Sequence, residues 1–344
     1  MERSEVLTPS LHLYFAEKYD LSATSVPGNF RQVGLLRAIA ILATSKAVTL
    51  ELPEPLWLRE LPRTATMALV WRLRGLLSGR RRRVVTYAIE NNDLETLVGK
   101  RSGAAHFLVV AGLRIYIRHF VDRMAFGSPS AASAYASLID GDGGGKSDKY
   151  GRFVELPAPR RGGHLDAPSA DAIFVGELSI RKGVEHLMAA WELVEKQCSG
   201  VRLRVVGTGP LTDKVVAWCS VSPETRDYVG FVEHRALDAH IDQCAVLVAP
   251  SRRSGRWREQ IGLPIVEGLA AGLTIVTSRD TGLAGWLEAQ GHQVIRSEYE
   301  VAELADAVLG ALATPIPKES VVESLPIEPQ RISADRWLHE PGES

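Results

Sequence analysis

The stretch from Val246 to Thr277, VLVAPSRRSGRWREQIGLPIVEGLAAGLTIVT, constrains the fold more than any other part of the chain. A short apolar run, Ala245 to Ala249, stops at Pro250-Ser251. An arginine-rich loop follows, then Glu259, then a helix opened by Gly262 and Pro264, and then a second apolar run from Leu273 to Thr277. Two strand-length runs joined by a helix read as parallel strands, because parallel neighbours need a crossover long enough to hold a helix. Proline is admitted in the first helical turn because its missing N–H would have no partner there. Glu267 then falls about one turn into the helix, and its side chain tilts back toward the N-terminus. Glu259 and Glu267 are therefore both expected near the positive end of one helix.

Such a pocket suits a polyhydroxylated, phosphorylated ligand. Carboxylates accept hydrogen bonds from sugar hydroxyls, and the N–H groups of Gln260, Ile261, Gly262 and Leu263 are placed to receive phosphate or hydroxyl oxygens. The plainer reading makes Glu259 a solvated loop residue and Glu267 a helix acid favoured by the dipole. The run Glu259-Gln260-Ile261-Gly262-Leu263-Pro264-Ile265-Val266-Glu267, set between APS and GLAAG, resembles the E-x7-E element of the retaining GT-B glycosyltransferases (family 4-like, group 1). That resemblance implies an α/β chain of two Rossmann-like, doubly wound domains facing a cleft, the N-terminal one reduced here. It implies a nucleoside-diphosphate sugar as donor and a glycan or lipid-linked acceptor. Glu259 would hold the transferred sugar and Glu267 the ribose hydroxyls. The family is generally metal-independent, so neither a metal nor a cofactor is expected.

Two further motifs carry the resemblance. FVGELSIRKG is similar to the family's glycine, basic residue and Lys-Gly element, which grips the donor diphosphate. Gly176 and Lys182 match it, but Glu177 stands where the family places a cation, so Arg181 is expected to substitute. VVGTGP places Gly207 and Gly209 in a strand-to-helix turn that lines the nucleoside pocket in the family; a tight connection requiring positive φ is the alternative. A chain carrying these motifs without turnover, a non-catalytic GT-B module for nucleotide or partner binding, is the second reading that Glu177 permits.

The pattern around these motifs is regular. Strands at 172–175, 201–206, 228–232, 245–249, 273–277 and 293–295 alternate with helices at 183–195, 235–243, 282–289 and 301–312, which means a doubly wound parallel sheet over 168–315. Residues 1–150 read as an acceptor-side α/β domain with strands at 11–15, 47–52 and 83–89 and helices at 34–44 and 66–78. Gly28 and Asn29 lie where the family has an acceptor-side glycine loop. Glu90 and Asn91 follow the third strand; they either contact a sugar or cap the next helix. Residues 316–344 form a tail with a short helix at 332–338, which the resemblance would take back to the first domain.

With 344 residues, 45% of them apolar, the chain can bury two ordinary cores. Residues 1–125 carry 18 Lys/Arg against 11 Asp/Glu, a charge of +7, and the remainder carries −8. The basic half suits an anionic partner, yet no nucleic-acid motif accompanies it. Arg80-Arg81-Arg82-Arg83, with Arg72 and Arg74, fits either contact with an anionic membrane or a solvated charge run. No apolar run approaches the length of a membrane span, and the N-terminus lacks a secretory core, so a cytoplasmic protein is expected, peripheral at the inner membrane face if the arginines meet lipid. Asp140-Gly141-Asp142 sits among glycines and reads as linker rather than metal motif. Cys198, Cys219 and Cys244 lack metal-ligand spacing and read as reduced thiols.

Overall fold

The computed structural model describes residues 7–16, 28–99, 103–139, 148–160 and 171–340. The chain divides into two compact units, Met1–Phe153 with Arg331–Ser344, and Val154–Gln330. The Asp140–Asp142 motif lies outside the described residues.

In the first unit, β1 (His12–Tyr14) pairs in parallel with β2 (Phe30–Gln32) as a separate two-stranded ribbon. Then follow α1 (Leu35–Thr44), β3 (Thr49–Glu51), α2 (Leu61–Leu77), β4 (Arg83–Ala88), α3 (Leu94–Val98), α4 (Gly103–Phe120), β5 (Arg123–Phe126), α5 (Pro129–Ile139) and β6 (Tyr150–Arg152). The main sheet is parallel in the order β3-β4-β5-β6. Its core joins Trp71 and Met67 of α2 to Leu113 and Ile117 of α4 and to Met124 and Phe126 of β5. α2 begins at Leu61, five residues before the expected start, because Pro62 takes the first-turn position that suits proline.

In the second unit, β7 (Ala172–Val175) leads through a 3₁₀ turn at Ile180–Lys182 into α6 (Val184–Gln197). β8 (Leu203–Val206), α7 (Thr212–Val221), β9 (Arg226–Gly230), α8 (His234–Ile241), β10 (Val246–Ala249), α9 (Leu263–Ala270), β11 (Thr274–Ser278), α10 (Ala284–Ala289), β12 (Gln293–Ile295), α11 (Val301–Ala313) and α12 (Lys318–Glu323) complete it. The sheet runs β9-β8-β7-β10-β11-β12, every pair parallel. Strand β9 sits two residues earlier than its apolar run suggested, and its register on β8 shifts at a bulge between Val205 and Val206. α6 buries Val184, Leu187, Met188, Trp191 and Val194, the face its periodicity marked.

α13 (Gln330–His339) returns to the first unit. Ala334 and Leu338 are buried against Val85 of β4 and Ala125 of β5. Arg83 donates to the carbonyls of His339 (2.9 Å) and Glu340, and Arg123 to that of Trp337.

One expectation for the first unit changes. Arg80–Arg83 is not a free basic face. Arg82 is 4% exposed, stacks on Trp71 at 4.3 Å and donates to the Ser45 carbonyl at 2.7 Å. Arg83 is spent on α13, and Arg72 bonds Asp122 and the carbonyls of Arg82 and Phe120. Arg80 and Arg81 alone of the run remain exposed. Gly28 and Asn29 lie after β1 and just before β2 of the ribbon, and a Cβ on Gly28 would meet nothing within 4 Å. Among the described residues no helix is long and apolar enough to cross a membrane.

Candidate functional site

Strand order dictates where to look. In the order β9-β8-β7-β10-β11-β12, chain progression reverses between β7 and β10, and ligands of such sheets lie beyond the carboxyl ends of the strands at that point. The loop after β7 carries Gly176 to Gly183, and the loop after β10 carries Ser251 to Gly262. Both loops were singled out from sequence.

The two loops are bonded to each other. The Arg252 N–H donates to the Arg181 carbonyl at 2.9 Å. Gly183, at φ +75°, lets the chain pass so close to Pro250 that a Cβ would lie 2.1 Å from its carbonyl oxygen, which Tyr299 also bonds at 2.6 Å. Lys182 Nζ donates to Glu259 Oε2, and Ser251 Oγ reaches the same oxygen at 3.0 Å. Both side chains of that ion pair are more than four-fifths shielded. Arg181 does not stand free as a phosphate ligand would: its guanidinium bonds Glu177 Oε2 at 2.6 Å and lies 4.4 Å over the Trp257 ring. Ammonium and guanidinium share that ring, since Lys182 Nζ is 5.4 Å from its centroid.

Glu267, on the second turn of α9, takes a different partner from Glu259. It pairs with His234 Nδ1 at 3.2 Å, at the start of α8. Gly262 caps α9 at φ +78°, and the backbone N–H groups of residues 260–263 donate to no other described residue. Ile261 is buried, Leu263 is exposed, and Gln260 lies between. The glycines of the β8–α7 turn serve packing. A Cβ on Gly207 would lie 1.9 Å from the Gly176 carbonyl oxygen, and one on Gly209 2.6 Å from that of Leu178. Their N–H groups are taken by Gly230 and Thr212.

Glu90 and Asn91 lie in the first unit and are buried there. Glu90 Oε1 accepts from the N–H groups of Asn91 (3.1 Å) and Asn92 (2.9 Å), so this carboxylate braces its own turn rather than facing outward, and Asp93 caps α3 instead. Sequence reasoning missed Glu54 beneath it, which accepts from the N–H groups of Ile89 and Glu90 at 3.0 Å and from the Tyr135 hydroxyl at 3.1 Å. It also missed Ser251, Trp257 and His234. A tryptophan amid four arginines was the available signal for the second of these.

Residues 169–314 match the family described as Glycosyl transferases group 1. The glycogen synthase of Mycobacterium tuberculosis is 31% identical over 149 residues, 42% of this chain, and the chain covers 34% of that relative. Among solved structures, Anabaena Alr3699/HepE in complex with UDP superimposes with a TM-score of 0.57 at 13% identity, over 89% of this chain and 78% of that one. WaaG, described as a glycosyltransferase involved in lipopolysaccharide biosynthesis, gives 0.57 at 13% identity over 92% and 89%. The fold is GT-B. The match to the group 1 family lies within the second unit, and the chain spans about a third of the curated relative it matches. The paired Lys182 and Glu259 fall inside the matched residues 169–314.

Proposed function

We propose that this GT-B chain is a retaining glycosyltransferase that moves a sugar from a nucleoside-diphosphate sugar to a glycan or lipid-linked acceptor. One observation carries the reading: the shielded Lys182–Glu259 pair sits beyond the strand ends where chain progression reverses, inside the matched domain. When a donor enters, its diphosphate competes with Glu259 for Lys182. The ammonium and the N–H groups of residues 260–263 then stabilise charge developing on the departing β-phosphate. Glu259, released and still braced by Ser251, accepts hydroxyls of the transferred sugar. Glu267 takes the ribose hydroxyls, with His234 holding its other side. A same-face transfer needs no protein nucleophile, and none is assigned. A nucleotide-binding module without turnover is the second reading, favoured by one observation: Arg181 is already occupied by Glu177.

Calorimetric titration with UDP, GDP and ADP tests the proposal. Glu267→Ala should weaken the nucleotide that binds by roughly 1–3 kcal/mol, the scale of lost hydrogen bonds to a charged acceptor. Glu259→Ala, which frees Lys182 of its competitor, should leave nucleotide affinity no weaker and abolish sugar transfer. Equal loss of nucleotide affinity in both variants would overturn the separate roles. Nucleotide binding without transfer or donor hydrolysis in the wild type would support the module.

A further inference from the structure

Glu177 is the one charged group of the β7 loop with the wrong sign for a diphosphate. It follows Gly176 at the carboxyl end of β7, and its Oε2 accepts from Arg181 Nη2 at 2.6 Å and from Ser179 Oγ at 3.0 Å. The two members of this ion pair are supported unequally. Arg181 belongs to the 3₁₀ turn, its carbonyl is bonded by Arg252, and its guanidinium lies over the Trp257 ring. Glu177 sits in a loop, with 42% of its side chain exposed. A carboxylate so exposed returns to water at little cost, and an exposed pair is itself worth little. The guanidinium, held by backbone and ring, stays where it is and can take a new anion.

We propose that Glu177 is an internal counter-anion that occupies Arg181 until a donor diphosphate displaces it, with Trp257 holding the guanidinium in position through the exchange. The inference rests on the nucleotide-sugar reading of the same site. A diphosphate offers more charge than one carboxylate and can meet the guanidinium in bidentate fashion, so the exchange runs toward the donor. Glu177 subtracts from the affinity, and so favours release of the nucleoside diphosphate after transfer. Trp257 is then a positioning residue: a flat aromatic face keeps the guanidinium from following its departing partner. The arrangement also explains why a carboxylate is tolerated at position 177, since the cation that offsets it is one helical turn away on the same loop.

Titration with UDP, GDP and ADP, and separately with inorganic pyrophosphate, tests this on the full chain. Glu177→Gln should tighten binding of pyrophosphate and of the preferred nucleotide by roughly 2–5-fold, the scale of one released exposed ion pair. That gain should vanish when Arg181→Gln is also present, as a coupled pair requires. Glu288→Gln, which breaks a comparable exposed pair with Arg279, should give no gain. Trp257→Leu should weaken the nucleotide, and Trp257→Phe should restore most of the loss. Affinity unchanged or reduced in Glu177→Gln, or a gain that persists without Arg181, overturns the inference while leaving the donor reading in place. If no nucleotide binds either the wild type or Glu177→Gln, the donor reading falls and this inference with it.

Discussion

A methyl group on Gly207 would meet the Gly176 carbonyl oxygen at 1.9 Å, on a residue whose φ of +134° already excludes most side chains. Gly207→Ala should therefore cost the second unit at least about 3 kcal/mol, since steric overlap and backbone strain add. Gly285, exposed in α10 with nothing within 4 Å of its virtual Cβ, is the control. Alanine there should be neutral or stabilising by about 0.5–1 kcal/mol, as helix propensity predicts. Urea unfolding of the two variants measures both effects, and equal stabilities would refute the packing account of the turn. At this scale the sequence disclosed the participants but not their partners. Lys182 and Glu259 were each legible from their local motif, whereas their ion pair spans 77 positions and leaves no local pattern. Trp257 was passed over for a related reason: a ring that supports two cations has no periodicity to betray it.

Among the elements, the carboxyl ends of β3 and β4 are joined by one buried acid. Glu54 is 3% exposed; burial pushes its carboxyl up to about 7, against the backbone N–H groups of Ile89 and Glu90 and the Tyr135 hydroxyl that favour the anion, while the neighbouring Glu90 raises it further. The unfolded chain has the ordinary value of 4.5, so between these pH values the folded unit holds a proton that the unfolded chain has lost. Stabilisation by this group is thus complete below pH 4.5 and is lost as pH rises through about 7, a total of about 3 kcal/mol by linkage. Relative to Glu54→Gln, the wild type should lose roughly 2–3 kcal/mol between about pH 5 and about pH 8 in urea unfolding. Parallel pH profiles for the two proteins would remove the assignment. Most strands and helices of the second unit could be read to within two residues because its apolar runs are continuous, as sheets covered on both faces require, although α12 went unseen. The first unit was harder. Its strands β1, β2, β3 and β6 are three residues long, too short to show a period, and the arginine run looked like surface because charge gives no hint that Arg82 stacks on Trp71.

For the whole molecule, the decisive feature is that the first unit is made of two separate pieces of chain and the second of one. Ending the chain after Gln330 would uncover Val85 and Ala125 and strip Arg83 and Arg123 of their carbonyl partners. Losing the burial of Leu338 alone is worth roughly 1.5–3 kcal/mol. Calorimetric unfolding of such a truncation should show the transition of the first unit lowered and that of residues 154–330 unchanged. A first-unit transition that did not move would show α13 to be dispensable. The same truncated chain also depicts a moment in synthesis. Domains generally form in the order in which they leave the ribosome, but here the earlier-made unit gains its last covering helix only when residues 331–340 emerge, after every residue of the later one is already outside. The second unit is thus free to fold first, and an apolar sheet face of the first must wait, uncovered, for about the time it takes to translate the intervening 177 residues.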